Sequence, residues 1–382
     1  MKIFNYLFVC LIFVLFLPGS KVYAMEEAGN VDYYNDFDYE QIQSVIEDIM
    51  PGQDEIDFES YVSGLISGEK EISPSVIMND LKNTVITQFR SDVGSILRLL
   101  SVVIIAALFT NFSNIFHNNQ VSETSFYITY ILLFSLITSS FITVTSLAGN
   151  TLSKLLDFMK ALVPTYFLSI AFCSGSKTSL IFYEATLIII TAVDFLLIKL
   201  IIPCINIYLI LTLANNISKE DHLSKLTDLM EVVIKWSLKT LLAAVIGFNA
   251  IQGMIVPAVD SMKKSFLLRA SGSLPGIGDA LESVTKTIYG AGVLVKNAIG
   301  VTGLVVILII VAVPLIKLTV YAIVYRMGVA VIQPITDKRI LNCMNGVSEA
   351  TGLLLYTVFI GAVLFFITIA IITTSTNFGL SG

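Results

Sequence analysis

The chain has 382 residues, of which 55% are hydrophobic and 14% charged, with a mean hydropathy of +0.83 and a net charge of −6. This composition argues against a soluble enzyme or a nucleic-acid binder and for an all-α polytopic membrane protein.

Met1 to Ala24 carries Lys2, an apolar run from Tyr6 to Leu17, a Pro18-Gly19 break and then Val22-Tyr23-Ala24. That is the layout of a secretory signal peptide cut after Ala24, with an uncleaved first anchor as the alternative. Either way, the next segment begins outside the cytoplasm.

Residues 25–92 hold 16 acidic against three basic side chains (Lys70, Lys82 and Arg90), a net of −13, whereas residues 93–382 carry a net of +5. Acidic residues do little to retain a segment in the cytoplasm, so this composition suits export. Ile42, Val45, Ile46 and Ile49 fall at helical spacing, as do Val76, Ile77, Leu81 and Val85, which predicts two or three short amphipathic helices joined by a connector over Ser60 to Ser75. Two readings stand for this segment: a small solvated helical cap, or a docking surface for an extracytoplasmic partner.

The polytopic domain, 93–382, opens with a first span from Leu99 and a second over Phe126 to Ala148. Leu152, Leu155, Leu156, Met159 and Leu162 then alternate with Lys154, Asp157 and Lys160, the pattern of an interfacial amphipathic helix, and Pro164 interrupts the next apolar stretch. Leu180 to Ala214 is too long for one bilayer crossing. A break at Pro203 is therefore expected, with a span over Thr178 to Ile202 and a half-helix over Cys204 to Leu213. An amphipathic helix over Leu223 to Glu231 leads into a span over Val232 to Val256, where Lys235, Trp236 and Lys239 are the expected interface anchors. Pro257 to Asn297 reads as a mixed loop, Ala298 to Tyr325 as a span and Gly352 to Thr374 as the last. The total is six spans, or up to eight with re-entrant or interfacial pieces. Arg326, Lys338 and Arg339 argue that the last loop is cytoplasmic. On an even count of spans, however, the cluster Lys263, Lys264 and Arg269 then faces outward, against the same rule.

The tetrapeptide Leu-Ile-Lys-Leu occurs at 197–200 and again at 315–318. The same offset of 118 pairs Val193 with Val311, Ile217 with Ile335, Leu223 with Leu341, Glu231 with Glu349 and Phe248 with Phe366. This suggests an internal repeat with units over 126–231 and 232–350.

No catalytic, cofactor or metal motif is found. The cysteines are scattered, and His117 and His222 stand apart in polar turns. What remains are ionisable groups inside apolar runs, which are costly in hydrocarbon and therefore face a partner or a wet cavity. Asp194 leads these candidates for an intramembrane pathway, followed by Glu184, Lys199 and Lys317. Lys199 lies about 140° around an ideal helix from Asp194, which disfavours an intrahelical pair. Both lysines, and Glu184, can instead reach a head-group level.

The whole layout, and above all PLIKLTVYAIVYRMGVAVIQPITDKRILNCMNGVSEATGLL near the end, resembles the stage III sporulation protein AE family of endospore-forming bacteria. The resemblance implies a non-enzymatic integral subunit, made in the mother cell and set in the membrane around the forespore. It further implies a channel or secretion-like complex with other products of the stage III sporulation A operon, including ring-forming and ATPase subunits, and indirectly with the forespore protein SpoIIQ. Membrane lipid is an implied partner, and a homo-oligomer remains open. Two other classes stay in view: an autonomous secondary transporter with an internal repeat, and a scaffold for ring assembly.

Overall fold

The computed structural model describes the backbone of residues 39–49, 57–67, 94, 101, 105, 119–174, 176–217, 222–271, 278–334 and 338–375. The expected signal peptide, the helix around residues 76–85 and nearly all of the first span lie outside these. Among the described residues every regular element is helical. In chain order these are α1 (Glu40–Ile49), α2 (Phe58–Ile66), α3 (Asn119–Ser174), α4 (Ser176–Asp194), a π-helical segment (Phe195–Ile201), α5 (Ile202–Asn215), α6 (Ser224–Ser271), α7 (Gly278–Ile332) and α8 (Lys338–Ser375).

The large helices form an up-and-down bundle centred on α3, α7 and α8. Tyr130 meets Leu213 at one end of α3 and Phe167 meets Tyr183 at the other, so α4 and α5 run antiparallel to α3. Likewise α7 is antiparallel to α3, through Tyr325 on Ser140 and Gly300 against Tyr166. Helix α8 is parallel to α3, with Arg339 over the Phe126 ring and Thr373 beside Tyr166. Helix α6 packs mainly on α8, where the Asn249 side chain donates to Thr368 Oγ1 at 2.9 Å.

Close approach between these helices relies on glycine. A β-carbon on Gly303 would lie 2.7 Å from Leu162 Cδ2, and one on Gly361 2.5 Å from Leu152 Cδ2. Small residues at such crossings let backbones approach where dispersion and hydrogen bonds, not water, drive association.

Among the described residues, four helical stretches are long and apolar enough to cross a membrane: Phe126–Ala171, Tyr183–Asn215, Gly290–Ile332 and Lys338–Thr373. The longest, at 46 residues, runs about 70 Å at 1.5 Å per residue, more than twice a hydrocarbon core.

Several expectations are corrected. Residues 152–162 do not form an interfacial helix, because Leu152, Leu155, Leu156, Phe158, Met159 and Leu162 are all buried in the bundle centre. Packing of α1, α4, α7 and α8 against α3 consumes that apolar face. Pro164 does not interrupt the chain, since α3 runs through it. The helix also continues past Pro203, which directly follows the π segment where α-type bonds are already interrupted, so there is no half-helix over Cys204 to Leu213. The loop over Pro257 to Asn297 is largely helical, its ends belonging to α6 and α7, with 272–277 outside the described residues. The helix expected over Leu223 to Glu231 is present from Ser224 and leads directly into the rest of α6, as expected. The expected span over Val232 to Val256 lies within the continuous helix α6. Arg326 lies within α7, while Lys338 and Arg339 open α8, so these three are helical and not loop residues.

The acidic segment is partly docked. Its expected first helix is α1, whereas Ser60 to Ile66, expected as connector, belongs to α2. Asp57 caps α2 by accepting from the backbone N–H groups of Glu59 and Ser60, and the Phe58 N–H donates to Gln43 Oε1 at 3.0 Å. Ile42, Ile46, Phe58 and Val62 are buried in the same core as the bundle. Helix α1 packs on α3 and α2 on α7. Lys154 of α3 donates to the Ile49 carbonyl at 2.6 Å, capping the end of α1, where backbone carbonyls lack helical donors.

Candidate functional site

Val193, Leu197, Ile201, Ile205, Leu209 and Leu213 recur at a strict interval of four and all are buried. In a helix of 3.6 residues per turn an interval of four drifts about 40° per step, so over five steps the stripe would rotate away from the core. A wider π turn reverses that drift. The π segment Phe195–Ile201 thus keeps one apolar face on α3 and α8 along the whole of α4 and α5. At its end the Ile202 N–H bonds the Leu197 carbonyl, five residues back. Such insertions concentrate at functional positions.

The π segment carries or adjoins the leading sequence candidates. Asp194, its N-terminal neighbour, lies 3.6 Å from Lys160 of α3, both side chains being partly exposed at 30% and 46%. Lys199 sits inside the segment and is exposed, and Glu184 is exposed on α4. Lys317 is half-buried on α7. The structure therefore joins Asp194 to Lys160, a residue that the sequence placed on the polar face of an interfacial helix, and not to Lys199.

A second polar cluster ties α5, α6 and α8 together. The Tyr208 hydroxyl donates to Glu349 Oε2 at 2.9 Å, and Glu231 is close enough for its charge to act on the same hydroxyl. Glu231 is ion-paired to Lys235, one turn along α6. Trp236 is 67% exposed and Lys239 exposed on the same helix. The two glutamates matched at the offset of 118 thus meet around one tyrosine. Nearby, Thr145 donates to Asn206 Oδ1 at 3.0 Å, fixing α5 to α3.

Sequence reading missed three further groups. Lys296 is fully buried in α7, its Nζ 3.4 Å from the Thr373 carbonyl oxygen. Gln252 is 3% exposed, with its Oε1 unpaired, and Asn249 is 1% exposed. The signal was present, as polar residues inside helical apolar stretches, but Lys296 fell in a segment read as loop. Among the described residues no cluster of three or more His, Cys, Asp or Glu side chains is arranged to hold a metal.

Residues 56–376 match the protein family described as "Stage III sporulation protein AE (spore_III_AE)". The chain is similar to the stage III sporulation protein AE of Bacillus subtilis (strain 168), at 22% identity over 313 residues, covering 82% of this chain and 78% of that protein. No solved structure matches.

Proposed function

Because the chain belongs to the stage III sporulation protein AE family, we propose that it acts in sporulation as a non-enzymatic integral subunit of the complex that links mother cell and forespore. The observation carrying this reading is the match over residues 56–376, which takes in both the bundle and α2. Four stretches able to cross a membrane, and a strongly acidic segment resting on them, support it.

On this reading the bundle sits in the mother-cell membrane around the forespore, and residues 25–92 face the space between the two membranes. The partners are the ring-forming and ATPase subunits of the same operon, with SpoIIQ reached indirectly from the forespore. Energy comes from the ATPase. The acidic segment is a docking surface, and α1 and α2 give it a fixed seat on α3 and α7.

A second reading, an autonomous secondary transporter built from an internal repeat, is favoured by the Lys160–Asp194 pair and the π segment beside it. Purified protein in liposomes separates the two. Solute flux by this chain alone supports the transporter, whereas flux that requires the ring and ATPase proteins supports the complex. Site-specific cross-linking from residues 40–66 to a ring protein in sporulating cells tests the docking surface; cross-links confined to lipid argue against it.

A further inference from the structure

We propose that the outward face of α3 between Ser135 and Lys160 lines a water-filled path across the membrane, closed on its open side by a second copy of this chain. The inference deepens the membrane-subunit reading above and rests on it. Along α3, Ser135, Ser139, Thr143 and Ser146 are exposed, and the next turns bring Asn150, Ser153, Asp157 and Lys160, also exposed. At 100° per residue all of them fall within an arc of about 100°. Ile142 is the one apolar residue in that arc. The stripe rises about 38 Å, enough to cross a hydrocarbon core of about 30 Å. Yet it belongs to a stretch apolar enough overall to span a membrane, Phe126–Ala171.

Lipid is a poor cover for this face. A serine hydroxyl can turn back on its own helix, but ionised side chains within a membrane face a wet cavity or a partner. Asp157 meets Ser153 Oγ at 3.5 Å, where both are exposed, and Lys160 meets Asp194 at 3.6 Å, where both are partly exposed, so water completes their shells. Helices α4 and α5 border the stripe on one edge, through that ion pair and through Thr145 on Asn206 at 3.0 Å. Helix α1 borders the other, where Lys154 holds the Ile49 carbonyl at 2.6 Å and brings the exposed Glu47 and Asp48 to the same level. Helices α7 and α8 occupy the buried side of α3. The wall across from the stripe therefore comes from outside the chain. Beyond α8 the bundle is apolar, for on α6 Ala243, Ile246, Gly247, Ala250, Ile251 and Met254 are exposed. Lipid against α6 and a like polar face against α3 set copies around a shared axis beside α3, the closed symmetry that homo-oligomers adopt.

The test uses the full chain, its native cysteines replaced, in proteoliposomes of phosphatidylethanolamine and phosphatidylglycerol. Single-cysteine proteins carry Ser139→Cys, Ser146→Cys or Ser153→Cys on α3, or Ala243→Cys or Ala250→Cys on α6, all at exposed positions. A membrane-impermeant cationic methanethiosulfonate reacts with ionised, hydrated thiols, so the α3 positions should react about tenfold or more faster than those on α6. Ser139→Cys and Ser146→Cys reacting as slowly as Ala243→Cys overturns the path. A spin label at Ser146→Cys should give a shorter distance between copies than one at Ala250→Cys. No distance between copies, or the reverse order, overturns closure by a second copy. Neither readout involves sporulation. Slow labelling alongside intact cross-links from residues 40–66 to a ring protein would therefore discard the path and leave the subunit reading standing.

Discussion

Tyr208 on α5 and Glu349 on α8, 141 positions apart in the chain, share a hydrogen bond of 2.9 Å in which the phenol donates to the carboxylate. Three helices converge there, since Glu231 of α6 approaches the same hydroxyl and is itself paired with Lys235. Tyr208→Phe keeps the ring and removes the donor. Hydrogen bonds to charged groups contribute about 1.5–3 kcal/mol, and Glu349 is exposed enough for water to replace the phenol in part. The expected loss is therefore about 1–1.5 kcal/mol, read as a lowered Tm of purified protein in nanodiscs. An unchanged Tm would mean that the contact contributes nothing to holding α5 on α8.

Glycines of α8 should divide by what surrounds them. A β-carbon on Gly361 would meet Leu152 Cδ2 at 2.5 Å and Leu197 Cδ1 at 3.2 Å, both on buried leucines, whereas one on Gly352 would meet nothing within 4 Å. Overpacking of a tight core costs about 1–3 kcal/mol. Gly361→Ala should therefore destabilise by that amount. Gly352→Ala should be neutral, or stabilising by up to about 1 kcal/mol through helix propensity. Thermal unfolding of the two variants side by side checks the contrast.

Asp194 and Lys160 form a partly exposed pair, so Asp194→Asn should cost under about 1 kcal/mol. A stability assay then separates structure from function. Wild-type heat-resistant spore counts with Asp194→Asn would remove the carboxylate from any transport path. A large drop in spores at unchanged Tm would keep it there.

Docking of the acidic segment should depend on alkaline pH through Tyr39. This side chain is buried against Phe58, with ring centroids 5.9 Å apart, and burial together with the charge of Glu59 pushes its phenol well above the usual value. An undocked tyrosine ionises near pH 10, whereas the docked one keeps its proton to higher pH. Stability from this group is therefore fully present below about pH 10 and declines as pH rises beyond it. Hydrogen exchange over residues 39–67 should show flat protection below that point and faster exchange above it. Tyr39→Phe should flatten the profile.

The helical class and most apolar stretches were legible because long runs without charge fit little besides membrane-type helices. The breaks were not. Pro164 and Pro203 carry strong local signals for interruption, but tertiary packing overrides them: α3 keeps its course between α7 and α8, and Pro203 falls where a π segment has already given up α-type bonds. The stripe at intervals of four from Val193 to Leu213 is present in the sequence but went unread, because Pro203 within it took the place of the helix signal. Partners were the least readable part. Nothing local ties Lys160 to Asp194, 34 positions on, because that pairing follows from the antiparallel packing of α3 and α4.

Lys296 offers the sharpest separation between packing and chemistry. It is fully buried in α7 with its Nζ 3.4 Å from the Thr373 carbonyl, close to Gly300 and Tyr166 at one end of the bundle. Removing a cation from a low-dielectric interior in favour of an apolar side chain of similar length is often neutral or stabilising, because desolvation of the charge is recovered. Lys296→Met should therefore keep or raise Tm. Lys296→Glu places an acceptor and a negative charge beside a carbonyl oxygen, and should destabilise by roughly 3 kcal/mol or more. Thermal unfolding of both variants in the same nanodiscs decides the matter. A fall of that size with Lys296→Met would show that the ammonium makes stronger bonds in the folded bundle than the Thr373 carbonyl alone supplies.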